Sequence, residues 1–353
     1  MAQCNTRGIW NEGGFGTRPY SFPQLIFYKQ ITPKSVITRL FFICLFVLAG
    51  HHAHAQEMAL VSENKIRDCA GRLIFVEKPF ERIISLFPAH TENLFFLGAE
   101  NAVIGVARSD DYPPEVKNIS RFSAQDGLEK FLAAKPDLIL VRPMLDHGYA
   151  PLIKRLEQFG ITVVSLQPSH VDEMFIYWKI LGRLTGREQS AEKMVGFFKK
   201  NVNKINSLVH EIEQENRRRV YFEAIHSQMK TFSPGAMPLF ALETAGGINV
   251  ASEATSVRGT NIAYFGKEKI MSLADQIDIY LAQHGVMNRS TKEMIQNEPG
   301  FSVIKAVREE KIYLVDEKLV SRPTMRLLSG ILQIGEILYP EIFNNDLKGS
   351  IYK

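Results

Sequence analysis

The sequence predicts an α/β protein of two doubly wound lobes, each with a central, mostly parallel sheet, joined by one long rigid α-helix. Three observations carry this. Short β-favouring runs alternate with helix-length segments, and the runs are continuous in Val, Ile and Leu, as in "DLILV" and "ITVVSL", which is how strands covered on both faces read. A helical period free of proline then runs from Glu188 to Asn216, with Met194, Phe197, Phe198, Val202, Ile205, Leu208, Val209 and Ile212 at three- and four-residue steps. At about 1.5 Å per residue it would reach roughly 40 Å, too long for an ordinary crossover. Beyond it, at "RRRVYFEAI", the alternation begins again.

In order, strands are expected at Leu73 to Val76 and Ile83 to Leu86, then a helix through Phe95 with Thr91 as N-cap and Gly98 as its stop. "AVIGVA" reads as a strand, "DYPPEV" as a loop, Glu129 to Ala134 as a helix, "DLILV" as a strand, Pro151 to Phe159 as a helix and "ITVVSL" as a strand. In the second half "RVYFEA", "IDIYLA" and "KIYLVD" are strands. Helices are expected at Leu239 to Ala245, Glu268 to Leu273, Lys292 to Asn297 and Arg326 to Leu338, the last stopped by Pro340. Two stretches echo each other: "DGLEKFLAAKPDLILV" (126–141) and "FGKEKIMSLADQIDIYLA" (265–282) each set a Gly and a Glu-Lys pair before a helical segment, an Asp and a strand. The echo is pseudo-symmetric at best, because Asp278 lies farther from Glu268 than Asp137 does from Glu129.

With 353 residues, 45% of them hydrophobic and 23% charged, the chain has room for two domains and reads as ordinary globular material. The net charge of +4 is local: up to Ala55, Arg7, Arg18, Lys29, Lys34 and Arg39 face Glu12 alone, and beyond Ala55 the signs balance. The footprint of a nucleic-acid binder is therefore missing. Lys34 and Arg39 precede the apolar run Leu40 to Gly50 and then "HHAHA", a basic, apolar and small-residue order that predicts a secretory signal cleaved after Ala55. The apolar run is too short to span a bilayer. The first thirty or so residues resemble neither a signal nor a domain, so translation is expected to start near Val36. Cys44 lies inside the apolar run rather than after it, which argues against a lipid-anchored cysteine, and His51, His52 and His54 would leave with the leader. Only Cys69 remains, which excludes an internal disulfide, a cysteine zinc site and an iron–sulfur cluster. The expected organisation is a leader over 1–55, a first lobe over 56–187, a linking helix over 188–216 and a second lobe over 217–353.

The segments "RIISLFPAHTENLFFLGA", "VIGVARSDDYPPEV", "LEKFLAAKPDLILV", "LIKRLEQFGITVVSL", "AGGINVA" and "IYLVDEKLVSRPTMRLLSGILQIGEILYPE" follow one another from about Arg72 to Glu341. In order and spacing this set resembles the periplasmic substrate-binding proteins of iron–siderophore, haem and cobalamin ABC importers. The resemblance implies a monomeric binding protein of the periplasm without catalysis or a cofactor of its own. Its cargo would be a metal chelate or corrinoid, and its partner an ABC permease dimer at the inner membrane. It also implies that an exposed glutamate of each lobe docks on permease arginines; by motif position these are Glu129 and Glu268, each in the first turn of a helix, where the helix dipole favours a carboxylate.

Candidate ligand contacts follow strand ends or lie in loops: His90, Arg108, Asp110, Arg142 and Pro143 in the first lobe, and Phe232, Arg258, Tyr264, His284 and Arg322 in the second. Arginines suit carboxylates of an anionic chelate, and aromatic faces suit a macrocycle. Cobalamin binders of the family cradle the corrin with several Trp; only Trp178 lies beyond the leader, "RSDD" precedes "YPP", and Arg142 follows "DLILV", all of which favour a charged chelate. The "SRPTMRL" stretch, common in cobalamin-type members, keeps a corrinoid open. A receptor for a bare divalent metal would have to draw on His90, His147, His226 and His284, with no H-x-H or His-rich loop beyond the leader. An enzyme would need a nucleophile elbow, a phosphate loop, a dinucleotide fingerprint or an H-E-x-x-H helix, and the sequence carries none of them. With a helical strut between the lobes, only modest closure on the ligand is expected.

Overall fold

In the computed structural model, which describes residues 57–257 and 259–351, the chain opens with an antiparallel meander of β1 (Ala59–Ser62), β2 (Lys65–Arg67) and β3 (Leu73–Phe75). Ile66 and Ile74 sit opposite one another and are buried, while Leu73 and Phe75 face outward. Only the third of these strands was expected from the sequence. The other two are three or four residues long, too short for a period-two pattern to stand out.

The first lobe is a five-stranded parallel sheet, ordered β6 (Ser120–Phe122), β5 (Val103–Ala107), β4 (Ile83–Ser85), β7 (Leu138–Val141) and β8 (Thr162–Ser165). All four residues of β7 are buried, as its unbroken apolar run requires for a strand covered on both sides. Helices α1 (Pro88–Phe96), α2 (Leu128–Ala134), α3 (Pro143–Gly148), α4 (Ala150–Gln158) and α5 (Val171–Thr185) follow the strands. Thr91 is not the N-cap of α1. Phe87 takes that place with Pro88 at the first helical position, and Thr91 is buried inside the helix.

The helix expected to link the lobes is shorter than the sequence predicts. α6 (Glu188–His210) spans 23 residues and gives way to a separate turn at Gln214–Asn216. Its buried stripe of Ala191, Met194, Val195, Phe198, Val202, Ile205 and Val209 runs out there, and Ile212 is only half-buried. Nor is it a bare strut. It folds back on α5 around Gly182, whose missing side chain lets Ala191 approach: a Cβ there would lie 2.7 Å from the Ala191 methyl.

The second lobe is a seven-stranded sheet. β9 (Arg219–Ile225), β14 (Ile279–His284) and β15 (Ile312–Asp316) form a parallel centre. β10 (Lys230–Phe232), β12 (Thr255–Ser256) and β13 (Ile262–Tyr264) extend it antiparallel, and β11 (Ile248–Asn249) pairs with the start of β9. The half-sheet of two- and three-residue strands has no sequence signature. Around it lie α7 (Met237–Thr244), α8 (Lys267–Ser272), α9 (Lys292–Gln296), α10 (Lys305–Arg308), α11 (Glu317–Val320), α12 (Leu327–Leu338) and α13 (Asn345–Ile351).

The echoed segments have the same job in each sheet. Asp137, ahead of β7, accepts from the backbone N–H of Glu81 and Arg82, which lead into β4. Asp278, ahead of β14, accepts from the backbone N–H of Arg219, the first residue of β9. Each aspartate thus closes the amino end of the neighbouring strand.

One apolar core runs through both lobes. At its middle Trp178 of α5 meets Phe198 of α6 edge-on at 5.5 Å, and Phe198 stacks on Phe240 of α7 at 6.4 Å. Phe198 is fully buried where the two lobes join. Phe198→Ala is expected to lower stability by about 3–5 kcal/mol, measured as a fall in the urea midpoint.

Candidate functional site

The loops at the carboxyl ends of both sheets meet, and a fully buried charge marks the place. Glu92, on α1, has no exposed side-chain surface, and its oxygens take Arg322 Nη1 at 2.6 Å, Arg326 Nε at 2.9 Å and Arg326 Nη2 at 2.8 Å. Between these arginines the Pro323 carbonyl accepts from Asn93 Nδ2 at 2.9 Å and from Trp178 Nε1 at 3.1 Å. Lys318 pairs with Asp111, and the Arg326 guanidinium lies 4.1 Å from the centre of the Tyr112 ring. Burial disfavours the charge on Arg326, yet the Glu92 bonds hold its pKa above the usual value. Arg322, expected to meet ligand, gives its Nη1 to this clasp.

Two more expected contacts are corrected by burial. His90 is fully enclosed, with Nδ1 2.7 Å from the Tyr177 hydroxyl and Nε2 3.0 Å from the Val141 carbonyl. Burial pulls its pKa down to about 4, so the neutral ring donates from Nε2 and accepts at Nδ1, leaving no atom for a ligand. Phe232 is buried edge-on against Phe222 at 4.9 Å. Both side chains turn into the core because a residue beside a strand end can face either way.

Asp110 is buried too, and burial pushes its pKa up to about 6. Its Oδ2 accepts from the Thr91 hydroxyl at 2.5 Å, while Oδ1 has no partner among the described residues. Arg108 is exposed and bonds Asp126 at 2.6 Å. Pro143 opens α3. Arg142 stands apart. It is half-buried with its guanidinium 5.0 Å from the centre of the Phe87 ring, and no described carboxylate pairs with it. Desolvation alone pulls its pKa down.

In the second lobe Tyr264 is exposed beneath Lys230 Nζ at 4.8 Å. His284 ends β14 exposed, donating from Nδ1 to the Ser290 carbonyl at 3.1 Å. Arg258 lies outside the described residues, as do the leader, its cleavage after Ala55 and the start near Val36. Among the described residues, no three His, Cys, Asp or Glu side chains gather as metal ligands, and no helix is long and apolar enough to cross a membrane. Burial raises the Cys69 thiol to about 11, an inert group. An open groove of about 480 Å³ lies between α5, α6 and α7, lined by Phe175, Phe198, Val202, Phe240 and Glu243 among others.

One cluster has no motif to announce it. Glu223, in the middle of β9, is fully buried and accepts from His226 Nδ1 at 2.7 Å, the Tyr280 hydroxyl at 2.6 Å, Asn288 Nδ2 at 2.9 Å and Ser290 Oγ at 3.0 Å. It holds the loops after β9 and β14 together. His226 Nε2 lies 3.7 Å from Glu298, which pairs with Lys267 at 2.5 Å, beside Glu268. The only sequence trace is a lone glutamate inside the apolar "VYFEAI".

A periplasmic binding protein family model matches residues 83–319. The chain belongs to that family. The uncharacterized ABC transporter substrate-binding lipoprotein YvrC of Bacillus subtilis is 27% identical over 291 residues, 82% of this chain and 90% of that protein. The vitamin B12-binding protein of Vibrio cholerae is 24% identical over 262 residues, 73% of this chain and 89% of its own. The crystal structure of a possible iron-binding, periplasmic solute-binding protein from Staphylococcus epidermidis superposes with a TM-score of 0.65 at 31% identity, covering 74% of this chain and all of that one. These relatives are transport binding proteins rather than enzymes.

Within this periplasmic binding protein Glu129 and Glu268 are both exposed, both in the first helical turn after an N-capping glycine, and neither has an ion pair among the described residues. They occupy corresponding corners, on α2 after β6 and on α8 after β13.

A pH dependence follows from His226, whose pKa the Glu223 hydrogen bond raises, against burial and with added help from the Glu223 and Glu298 charges. A raised value means that the tie contributes fully below the unfolded imidazole's 6.5 and is lost as pH rises through the folded value. His226→Asn should therefore flatten the fall in urea stability that the wild-type protein shows as pH rises above the unfolded value of 6.5.

Proposed function

We propose that this protein is the exported substrate-binding component of an ABC importer, and that it captures an anionic metal chelate, a ferric siderophore or haem, or a corrinoid, at the carboxyl ends of its two sheets. The observation that carries the reading is Arg142. A guanidinium that is half-desolvated, laid over an aromatic ring and left without a carboxylate is poised for an anionic group brought by a ligand. The relatives support the same class, since one is a B12-binding protein and another a possible iron-binding protein. A bare divalent ion is disfavoured, because His90 and His226 are each engaged in separate buried networks. The Glu92 clasp and the shared core favour modest closure of a monomer on its ligand rather than a wide swing.

Delivery would use Glu129 and Glu268 as the two docking points on a permease dimer, one for each lobe. An exposed carboxylate without a local partner is free to meet an arginine of another protein at little desolvation cost.

Arg142→Gln is expected to weaken binding of an anionic chelate by about tenfold or more, read by calorimetric titration, with the circular dichroism spectrum unchanged. Reversing both docking charges, Glu129→Arg with Glu268→Arg, should abolish uptake in cells while the purified protein keeps its chelate affinity. Loss of affinity in the double variant would instead assign these glutamates to the cleft.

A further inference from the structure

We infer that Phe87 is a positioning residue for anion capture: its ring, buttressed by His90, holds the Arg142 guanidinium in place before an anion arrives. The inference rests on the reading of Arg142 as the anion contact and deepens it, since it says what prepares this arginine for that part.

A cation over a ring is a common contact and by itself no sign of function. Two arginines lie over rings among the described residues. Arg326, over Tyr112, spends its donors on Glu92. Arg142, over Phe87 at 5.0 Å, has the Met144 sulfur 3.7 Å from Nη2 and no carboxylate. Both members of the second pair are also firmly built in. Ahead of Arg142, the Val141 carbonyl accepts from the Leu166 N–H at 2.9 Å and from His90 Nε2 at 3.0 Å. Behind it, the Arg142 carbonyl accepts from the N–H groups of Leu145 and Asp146 at 2.9 and 3.0 Å, in the first turn of α3. The Phe87 carbonyl likewise takes the Ser85 hydroxyl at 3.2 Å and the His90 N–H at 2.9 Å.

His90 closes the bracket. Its ring meets the Phe87 ring edge-on at 5.2 Å and is itself fixed by the Tyr177 hydroxyl at 2.7 Å. One imidazole therefore touches both the ring that carries the guanidinium and the peptide that leads into Arg142. Arginine is a long side chain with many rotamers, and an anion that binds it must otherwise collect it into one of them. A guanidinium already resting on a fixed ring has lost part of that freedom in folding. The ring also shields one side of the cation from water and offers no acceptor, so its charge is left for a ligand to neutralise.

The test uses inorganic sulfate, a dianion throughout the neutral pH range, titrated into the protein and followed by the NMR resonance of the Arg142 Nε–H, which is assigned by its absence in Arg142→Gln. The wild-type resonance is expected to move saturably with sulfate. Phe87→Leu should weaken sulfate binding at Arg142 about threefold or more and move the sulfate-free resonance to that of a solvated arginine, while Phe87→Tyr, which keeps the ring, should stay within about twofold of wild type. Phe87→Met takes the place of the leucine variant if that does not fold. Unchanged affinity without the ring overturns the inference and leaves Arg142 as the anion contact. Equal weakening in the ring-less and tyrosine variants also overturns it, by reducing Phe87 to a packing role. A wild-type Arg142 resonance that sulfate leaves unmoved would remove Arg142 as the anion contact, and the inference with it.

Discussion

A carboxylate that no water can reach has to be neutralised where it stands, and in this protein the neutralising charges come from the other lobe. Glu92 is enclosed on α1, and both of its cationic partners, Arg322 and Arg326, arrive on the segment between β15 and α12. Separating the lobes would leave a buried anion with no partner, a state disfavoured by several kcal/mol. Around this pair the chain adds backbone anchorage at Pro323 and an apolar core common to both lobes. The relative placement of the two sheets, and so the width of the space at their carboxyl ends, depends on this contact.

The second buried carboxylate works within one lobe. Glu223 gathers donors from the turn after β9, from β14 and from the loop beyond it, so this edge of lobe two is organised from underneath by a charge rather than by apolar packing. The two glutamates divide the work: one sets the distance between lobes, the other the shape of a rim. Arg142 is their complement, a cation held at the edge without a carboxylate of its own.

Much of the fold was legible because a strand buried on both faces has to be written in Val, Ile and Leu. β4, β5, β7, β8, β9, β14 and β15 all lie within a residue or two of where those runs sit. The meander and the antiparallel half of the second sheet were not, since two- or three-residue strands carry no period. α6 was found and its end overrun, because a lone Ile212 continues the spacing without being buried. The site was less readable. Sequence position puts His90 and Phe232 near strand ends but says nothing of which way the side chains turn. Nothing around Arg322 in the sequence announces its bond to Glu92, 230 residues away, and Glu223 has no motif, since its donors lie up to 67 residues away.

The repeated Gly, Glu-Lys, Asp wording also sets a length. In each lobe the glutamate stands at the carboxyl end of the sheet and the aspartate ties down the amino end of the neighbouring strand. Every copy therefore measures its own sheet from bottom to top, like a gauge block. Both outward carboxylates are thereby seated at the carboxyl ends of their sheets, one helix away from the aspartate that ties down the amino end.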